Sequence, residues 1–230
     1  MEQTSLNLIA IAVFLMTLSA LLTPILEISP FIPALATVGI LGLVSLDSLG
    51  WQGKGLTLVL GLLASPEEKQ RIVHHEAGHF LVAYCLGIPV TGYTLSAWEA
   101  FKQGQLGYGG VRFDLSLLSE VKIKETPLIF ERFSTVWMAG IAAEMLIYGN
   151  STGGQQDRQT CREMMVLGGI NPQNYQQKER WAILQAKTLI EKHQDTYQAL
   201  GQIMTQGASV EECYQLINQK FLVCEQIKMN

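Results

Sequence analysis

The feature that most constrains this chain is an N-terminal region with almost no charge. Residues 1–53 contain no Lys or Arg, and no charged residue lies between Glu2 and Glu27. The mostly apolar run 6–26 has about the twenty residues that a helix needs to cross a bilayer. A second run, 31–48, is shorter and contains Pro33, so it predicts a short span or one arm of a re-entrant hairpin. We therefore predict a membrane anchor over 1–64 with spans at about 6–26 and 31–48.

The distribution of charge indicates that this anchor is not a cleaved signal peptide, and it also predicts how the anchor is oriented. A cleaved signal peptide is the alternative for the first run, but it needs a positive segment before the apolar one and a small-residue cleavage site. Neither is present. Lys54, Lys69 and Arg71 follow the second run, which places that side in the cytoplasm by the positive-inside rule. We therefore expect an integral, multi-pass membrane protein in contact with lipid.

The sequence from Ser65 onward has the composition of a folded domain. Residues 65–230 hold 15 of the 16 Lys and Arg and 17 of the 20 Asp and Glu. Ser65, Pro66 and Glu68 are typical of a helix start, and Gly87 predicts its end. The net charge of −4 gives no basic surface for nucleic acid, so no nucleic-acid partner is expected. We predict a mainly α fold with a small β element at 90–95 and 110–113, and with further helices over 128–148, 155–167, 173–193 and 210–227.

One segment carries most of the chemistry that the sequence predicts. Three of the four histidines lie within six residues, and His75, Glu76 and His79 form an HExxH pattern. Residues four apart lie one above the other on a helix, so both imidazoles can face one ion, and two ring nitrogens suit Zn²⁺. Glu76 is close enough to act as the general base on water. An exposed helix with two chance histidines is the alternative, but the surrounding residues are apolar. His74 is expected outside the ligand set.

A catalytic zinc site needs a third protein ligand. Asp157 is favoured by its context, because it follows the Gly-containing loop 150–154 near a predicted helix start, and Glu144 comes next. Periodicity alone does not choose among the five acidic candidates, which are Glu99, Asp114, Glu131, Glu144 and Asp157.

Two blocks of the sequence resemble the zinc peptidase domain of the FtsH family of membrane proteases. One is the HEAGH segment 75–79, and the other combines MAGIAAE at 138–144 with STGGQQD at 151–157. The resemblance implies a helical, zincin-type peptidase domain over 65–230. It also implies that His75, His79 and Asp157 bind zinc, that Glu76 is the base and that Glu144 has a supporting role.

The chain is similar in organisation to the stand-alone FtsH-like peptidases of cyanobacteria and plastids, which have no ATPase module. Its only Gly-Lys pair, Gly53-Lys54, lacks the spacing of an ATP-binding loop. The prediction is therefore a membrane-anchored zinc metalloendopeptidase that hydrolyses polypeptides without an ATPase of its own. The domain would face the cytoplasm or a plastid stroma, with a separate AAA ATPase or further copies of the chain as partners. The insert 97–110 is expected to shape the substrate groove.

Two other functions stay open at the level of sequence. A site-2-type intramembrane protease places its HExxH within a membrane span, whereas charged residues from Glu67 to Arg71 precede the histidines here. A non-catalytic membrane partner or scaffold of an FtsH-type protease would explain the lack of an ATPase, but it would have no need to retain Glu76.

Overall fold

The fold is given by a computed structural model of the 230-residue chain. It describes residues 10–11, 13–19, 21, 29, 31–50, 64–102, 109–116, 118 and 127–229. The chain divides into two compact units, Met1–Leu60 and Gly61–Asn230. The described residues are mainly helical, which confirms the predicted fold class at that level.

The described part of the first unit corrects the predicted membrane topology. Helix α1 spans Phe31–Gly50, where the second run was expected to cross, and the described residues between 10 and 21 are also helical. Within the described residues no helix combines the length and the apolar character that crossing a bilayer requires. Helix α1 contains Pro33 near its start and the charged Asp47 near its end. The prediction of a multi-pass integral membrane protein is therefore wrong, and the rest of the run 6–26 lies outside the described residues.

The second unit contains eight α-helices and two strands among its described residues. In chain order they are α2 (Pro66–Cys85), β1 (Val90–Thr94), α3 (Ala97–Lys102), β2 (Gly110–Phe113), α4 (Pro127–Trp137), α5 (Ala139–Tyr148), α6 (Gln155–Leu167), α7 (Tyr175–Lys192), α8 (Gln194–Thr205) and α9 (Val210–Met229). A short 3₁₀ turn, Pro172–Asn174, precedes α7.

Helix α2 is the central element of this unit. It begins with the predicted capping box, in which the Ser65 hydroxyl accepts from the Glu68 N–H at 3.2 Å and the Glu68 carboxylate accepts from the Ser65 N–H at 2.7 Å. Its C-terminal half is buried and packs against α4, α5, α7 and α8. At Gly78 the backbones of α2 and α5 come so close that a Cβ would lie 2.7 Å from the Ala143 Cβ. The small residue between the two histidines therefore brings the two sequence blocks together.

The predicted β element is present as an antiparallel pair of strands. β1 and β2 pair Tyr93 with Val111 and Thr94 with Gly110, with an irregularity between Val90 and Gly92. β2 packs against α2, and the Phe113 ring meets His79 edge-on at 6.3 Å between centroids. The strands therefore cover one side of the HExxH turn. Of the insert 97–110, residues 97–102 form α3 and 103–108 lie outside the described residues.

Candidate metal centre

His75, His79 and Asp157 form a group that could hold a metal ion. One ligand atom from each lies within 4.8 Å of the others. Asp157 Oδ2 is 3.0 Å from His75 Nε2 and 3.5 Å from His79 Nε2. Ligands of a tetrahedral Zn²⁺ with bonds of 2.0–2.1 Å are separated by about 3.3 Å, so these distances match that arrangement. All three residues were candidates in the sequence, and the structure brings them together.

Hydrogen bonds at the other ring nitrogens orient both imidazoles. His79 Nδ1 lies 2.7 Å from the Val136 carbonyl oxygen, which can only accept, so Nδ1 carries the proton. His75 Nδ1 donates in the same way to Glu144 Oε1 at 2.8 Å. In the neutral rings the lone pairs are then on Nε2, the atoms that face Asp157. Such partners fix the tautomer and the ring direction in metal sites generally.

Asp157 is placed by a short loop between two helices. Gly149 ends α5 with φ +74° and Gly154 precedes α6 with φ +82°, a backbone region that favours glycine. Asp157 lies in the first turn of α6. The loop in between is held by Glu144, whose carboxylate accepts from the Thr152 N–H at 2.9 Å and the Gly153 N–H at 3.2 Å. The same carboxylate therefore contacts one histidine and the loop that leads to the third ligand.

Glu76 lies beside the ligand group with an oxygen that has no partner. Its side chain is 5% exposed, and Oε2 makes no hydrogen bond within the described part of the chain. Burial raises the pKa of Glu76, while charge on His75 and His79 and a backbone hydrogen bond from Val111 act in the opposite direction. An unsatisfied buried carboxylate oxygen is costly unless another group contacts it. Glu76 is therefore suited to accept a proton.

The charges of the three candidate ligands are coupled. Burial disfavours the charged ring of His75, but hydrogen bonds to Asp157 and Glu144 outweigh it and raise the pKa of His75 to about 10. Burial likewise disfavours the carboxylate of Asp157, yet the nearby His79 and His75 hold its pKa below its usual value. The two carboxylates thus stabilise a positive charge on the His75 ring.

The other four acidic candidates have different roles. Glu144 contacts His75 from the side away from Asp157. Glu99 accepts from the Leu95 N–H at 2.8 Å, and Asp114 accepts from the Ser116 N–H at 2.9 Å. Glu131 pairs with Lys178.

His74 points away from the ligand group. Its Nδ1 lies 2.7 Å from the Tyr148 hydroxyl, and its carbonyl accepts from the Tyr197 hydroxyl at 2.8 Å. Burial lowers the pKa of His74. As the sequence predicted, this third histidine of the segment is not one of the grouped residues.

Sequence reasoning did not identify three contributors to the centre. The contact of the Val136 carbonyl with His79 could not be predicted, because it uses a backbone group that every residue has. Gly140 lies directly against the His75 ring, where a Cβ would be 2.2 Å from Nε2. Arg71 contacts Glu144 and the loop before Asp157, although the sequence gave it no role in the metal centre.

No protein-family model and no curated protein matches this sequence.

Proposed function

We propose that this chain is a zinc-dependent metallopeptidase in which His75, His79 and Asp157 bind the metal and Glu76 is the general base. One observation carries the proposal: one carboxylate oxygen lies at zinc-like separations from two Nε2 atoms, next to a buried carboxylate whose Oε2 has no hydrogen-bond partner among the described residues. Two imidazoles and a carboxylate are the donor set of many catalytic zinc sites. Zinc bound there would supply Lewis acidity for a carbonyl and for water.

The chain's own residues perform the remaining work. The Val136 carbonyl and Glu144 hold the two rings, so that both Nε2 lone pairs are directed at one point. Glu76 Oε2 takes a proton from the attacking water and transfers it to the departing amine nitrogen. The raised pKa of Glu76 favours this cycle, because a carboxylate that holds a proton more strongly is a better base.

The peptide bond is proposed as the substrate because of the resemblance to FtsH-type peptidases. In this chain the HEAGH segment and the loop before Asp157 lie against each other through Gly78, Gly140 and Glu144. The two similar blocks thus belong to one site. Short or unfolded polypeptides are the proposed substrates.

The proposal is tested with the purified full chain, Zn²⁺ and a fluorogenic unfolded polypeptide. The wild type is expected to bind one zinc per chain and to lose cleavage on chelation and regain it on zinc addition. Glu76→Gln is expected to keep the zinc and to lower kcat about 10²–10⁴-fold, because it removes the base but no ligand. Glu67→Gln, the same change at an exposed position of α2, should leave cleavage unchanged.

Two results would overturn the peptidase. Cleavage that survives both chelation and Glu76→Gln would show that another centre, or a contaminant, does the work. Stoichiometric zinc without cleavage of any polypeptide would instead favour the non-catalytic scaffold.

A further inference from the structure

The guanidinium of Arg71 makes contacts with four residues of α5 and of the loop that precedes α6. Arg71 lies in α2, one turn before His75, and its side chain is 19% exposed. Nη1 donates to Thr152 Oγ1 at 2.6 Å and lies 3.4 Å from Glu144 Oε2, while Nη2 donates to Asn150 Oδ1 at 2.8 Å. The guanidinium carbon Cζ lies over the Tyr148 ring, 4.3 Å from the ring centroid.

These contacts all fall on residues 144–152, in the second half of α5 and the loop 149–154. That loop leads into the first turn of α6, where Asp157 lies. Glycines with positive φ at positions 149 and 154 turn the chain at both ends of the loop. The planar, forked guanidinium of arginine has several N–H donors, so it can bind separate acceptors of such a segment in a fixed geometry. The ammonium group of lysine acts only as a single point charge.

We propose that Arg71 is a positioning residue for the metal centre, which fastens the loop before Asp157 to the helix that carries His75 and His79. This inference rests on the proposed function, because it assigns Arg71 to the arrangement of the three proposed ligands. Arg71 acts on His75 through Glu144 and on Asp157 through Asn150 and Thr152. It touches neither ligand itself.

The consequence of removing Arg71 follows from this geometry. Two ligands share α2 and stay in place, whereas Asp157 depends on the loop. Without the fork, Glu144 retains its N–H donors at Thr152 and Gly153, so the fold persists while the position of Asp157 becomes less defined. Loss of a residue that orients ligands typically lowers metal affinity 10–100-fold.

The test measures metal affinity without requiring turnover. Metal-free full-length chain is titrated with Co²⁺, whose visible absorption reports the number and geometry of its ligands, for the wild type, Arg71→Met and Arg71→Lys. We expect Arg71→Met to bind about tenfold or more weakly with an altered Co²⁺ spectrum. Arg71→Lys should recover only part of the affinity, because a point charge replaces a fork. Lys69→Met, an exposed cation on the same helix, should match the wild type.

A second variant removes the acceptor and keeps the arginine. Asn150→Ala should also weaken Co²⁺ binding. The double variant with Arg71→Met should be no weaker than Arg71→Met alone, because both changes break the same Arg71–Asn150 hydrogen bond. The thermal midpoint of the metal-free variants is measured to confirm that they fold. If Arg71→Met fails to fold, Asn150→Ala still gives the answer.

The outcomes separate this inference from the proposed function. A wild type that binds no metal overturns the metallopeptidase and the role of Arg71 together. A wild type that binds Co²⁺, with unchanged affinity and spectrum in folded Arg71→Met and in Asn150→Ala, overturns the role of Arg71 alone. Weaker binding in Lys69→Met, equal to that of Arg71→Met, would also overturn it by reducing the effect to net charge.

Discussion

Space around the His75 ring is controlled by one glycine. Gly140 lies in the first turn of α5, and a Cβ there would come within 2.2–2.5 Å of three atoms of the imidazole. The ring cannot easily move aside, because Nδ1 is bound to Glu144 and Nε2 faces Asp157. The backbone of Gly140 does not have a positive φ, so its conformation does not require glycine. A glycine is needed there because a Cβ would displace the His75 ring on α2.

We predict opposite effects for two Gly→Ala substitutions in this unit. Gly140→Ala should displace the His75 ring, weaken zinc binding about 10–100-fold and destabilise the fold by about 1–3 kcal/mol through overpacking. Gly201→Ala in α8 meets nothing closer than 3.7 Å, so it should stabilise by about 0.4–1 kcal/mol through reduced backbone entropy. Urea unfolding and zinc titration measure both. Wild-type zinc affinity in Gly140→Ala would contradict the role given to this glycine.

Helix α2 combines a local start signal with a long-range packing requirement. Its first turn is exposed and closed by the Ser65–Glu68 capping box, whereas its second half is buried against four other helices. The cap fixes where the helix begins, and Gly78 fixes how closely α5 approaches it. The cap and Gly78 together therefore determine how the two histidines face α5.

The cap is expected to affect stability but not the metal centre. Ser65→Ala should lower the free energy of unfolding by about 1 kcal/mol, because the Glu68 N–H loses its acceptor. Ser65→Asp should retain most of that stability, since Asp is also a good N-cap. Zinc affinity should be unchanged in both, because residue 65 lies nearly three turns before His75. Urea unfolding together with zinc titration would reveal a loss of affinity, which would show that the cap sets the ligand geometry.

The elements that could be predicted from sequence are those with local signals. The start of α2, the small β element and α6 follow from capping residues, glycines and apolar spacing within a few positions. The predicted helix 128–148 is two helices, α4 and α5, that meet at Met138, and helix α8 was not predicted. Both depend on packing against distant parts of the chain. The membrane prediction failed because charge depletion and apolar length were taken as sufficient for a span.

The candidate site shows the same division between local and distant information. The HExxH spacing identified His75, Glu76 and His79 because all three lie within two turns of one helix. The third position stayed open among five acidic residues, since no periodicity relates a residue to another 82 positions away. Sequence context favoured Asp157 without excluding the others, and the resemblance then indicated it, whereas the contacts of Arg71 could be found only in three dimensions.

At the scale of the whole second unit, the metal centre joins elements that are distant in sequence. Two of the proposed ligands come from α2 and one from α6, so the set is complete only when the unit is folded. A ligand that binds only the native state stabilises it by an amount that grows with its concentration, about 2.7 kcal/mol at one hundred times Kd. Zinc should therefore stabilise the unit as a whole and not the centre alone.

Two buried cysteines can measure how far this stabilisation extends. Cys161 lies in α6, one turn after Asp157, and Cys213 lies in α9; neither is exposed. Burial raises the pKa of both thiols to about 11, so alkylation at pH 8 requires opening of the structure. We predict that zinc at one hundred times Kd slows the alkylation of both cysteines about 100-fold, as read by mass spectrometry of the peptides. With His79→Ala, zinc should slow neither. Protection of Cys161 without Cys213 would show instead that α6 opens separately from α9, and that the metal stabilises only the part of the unit around its ligands.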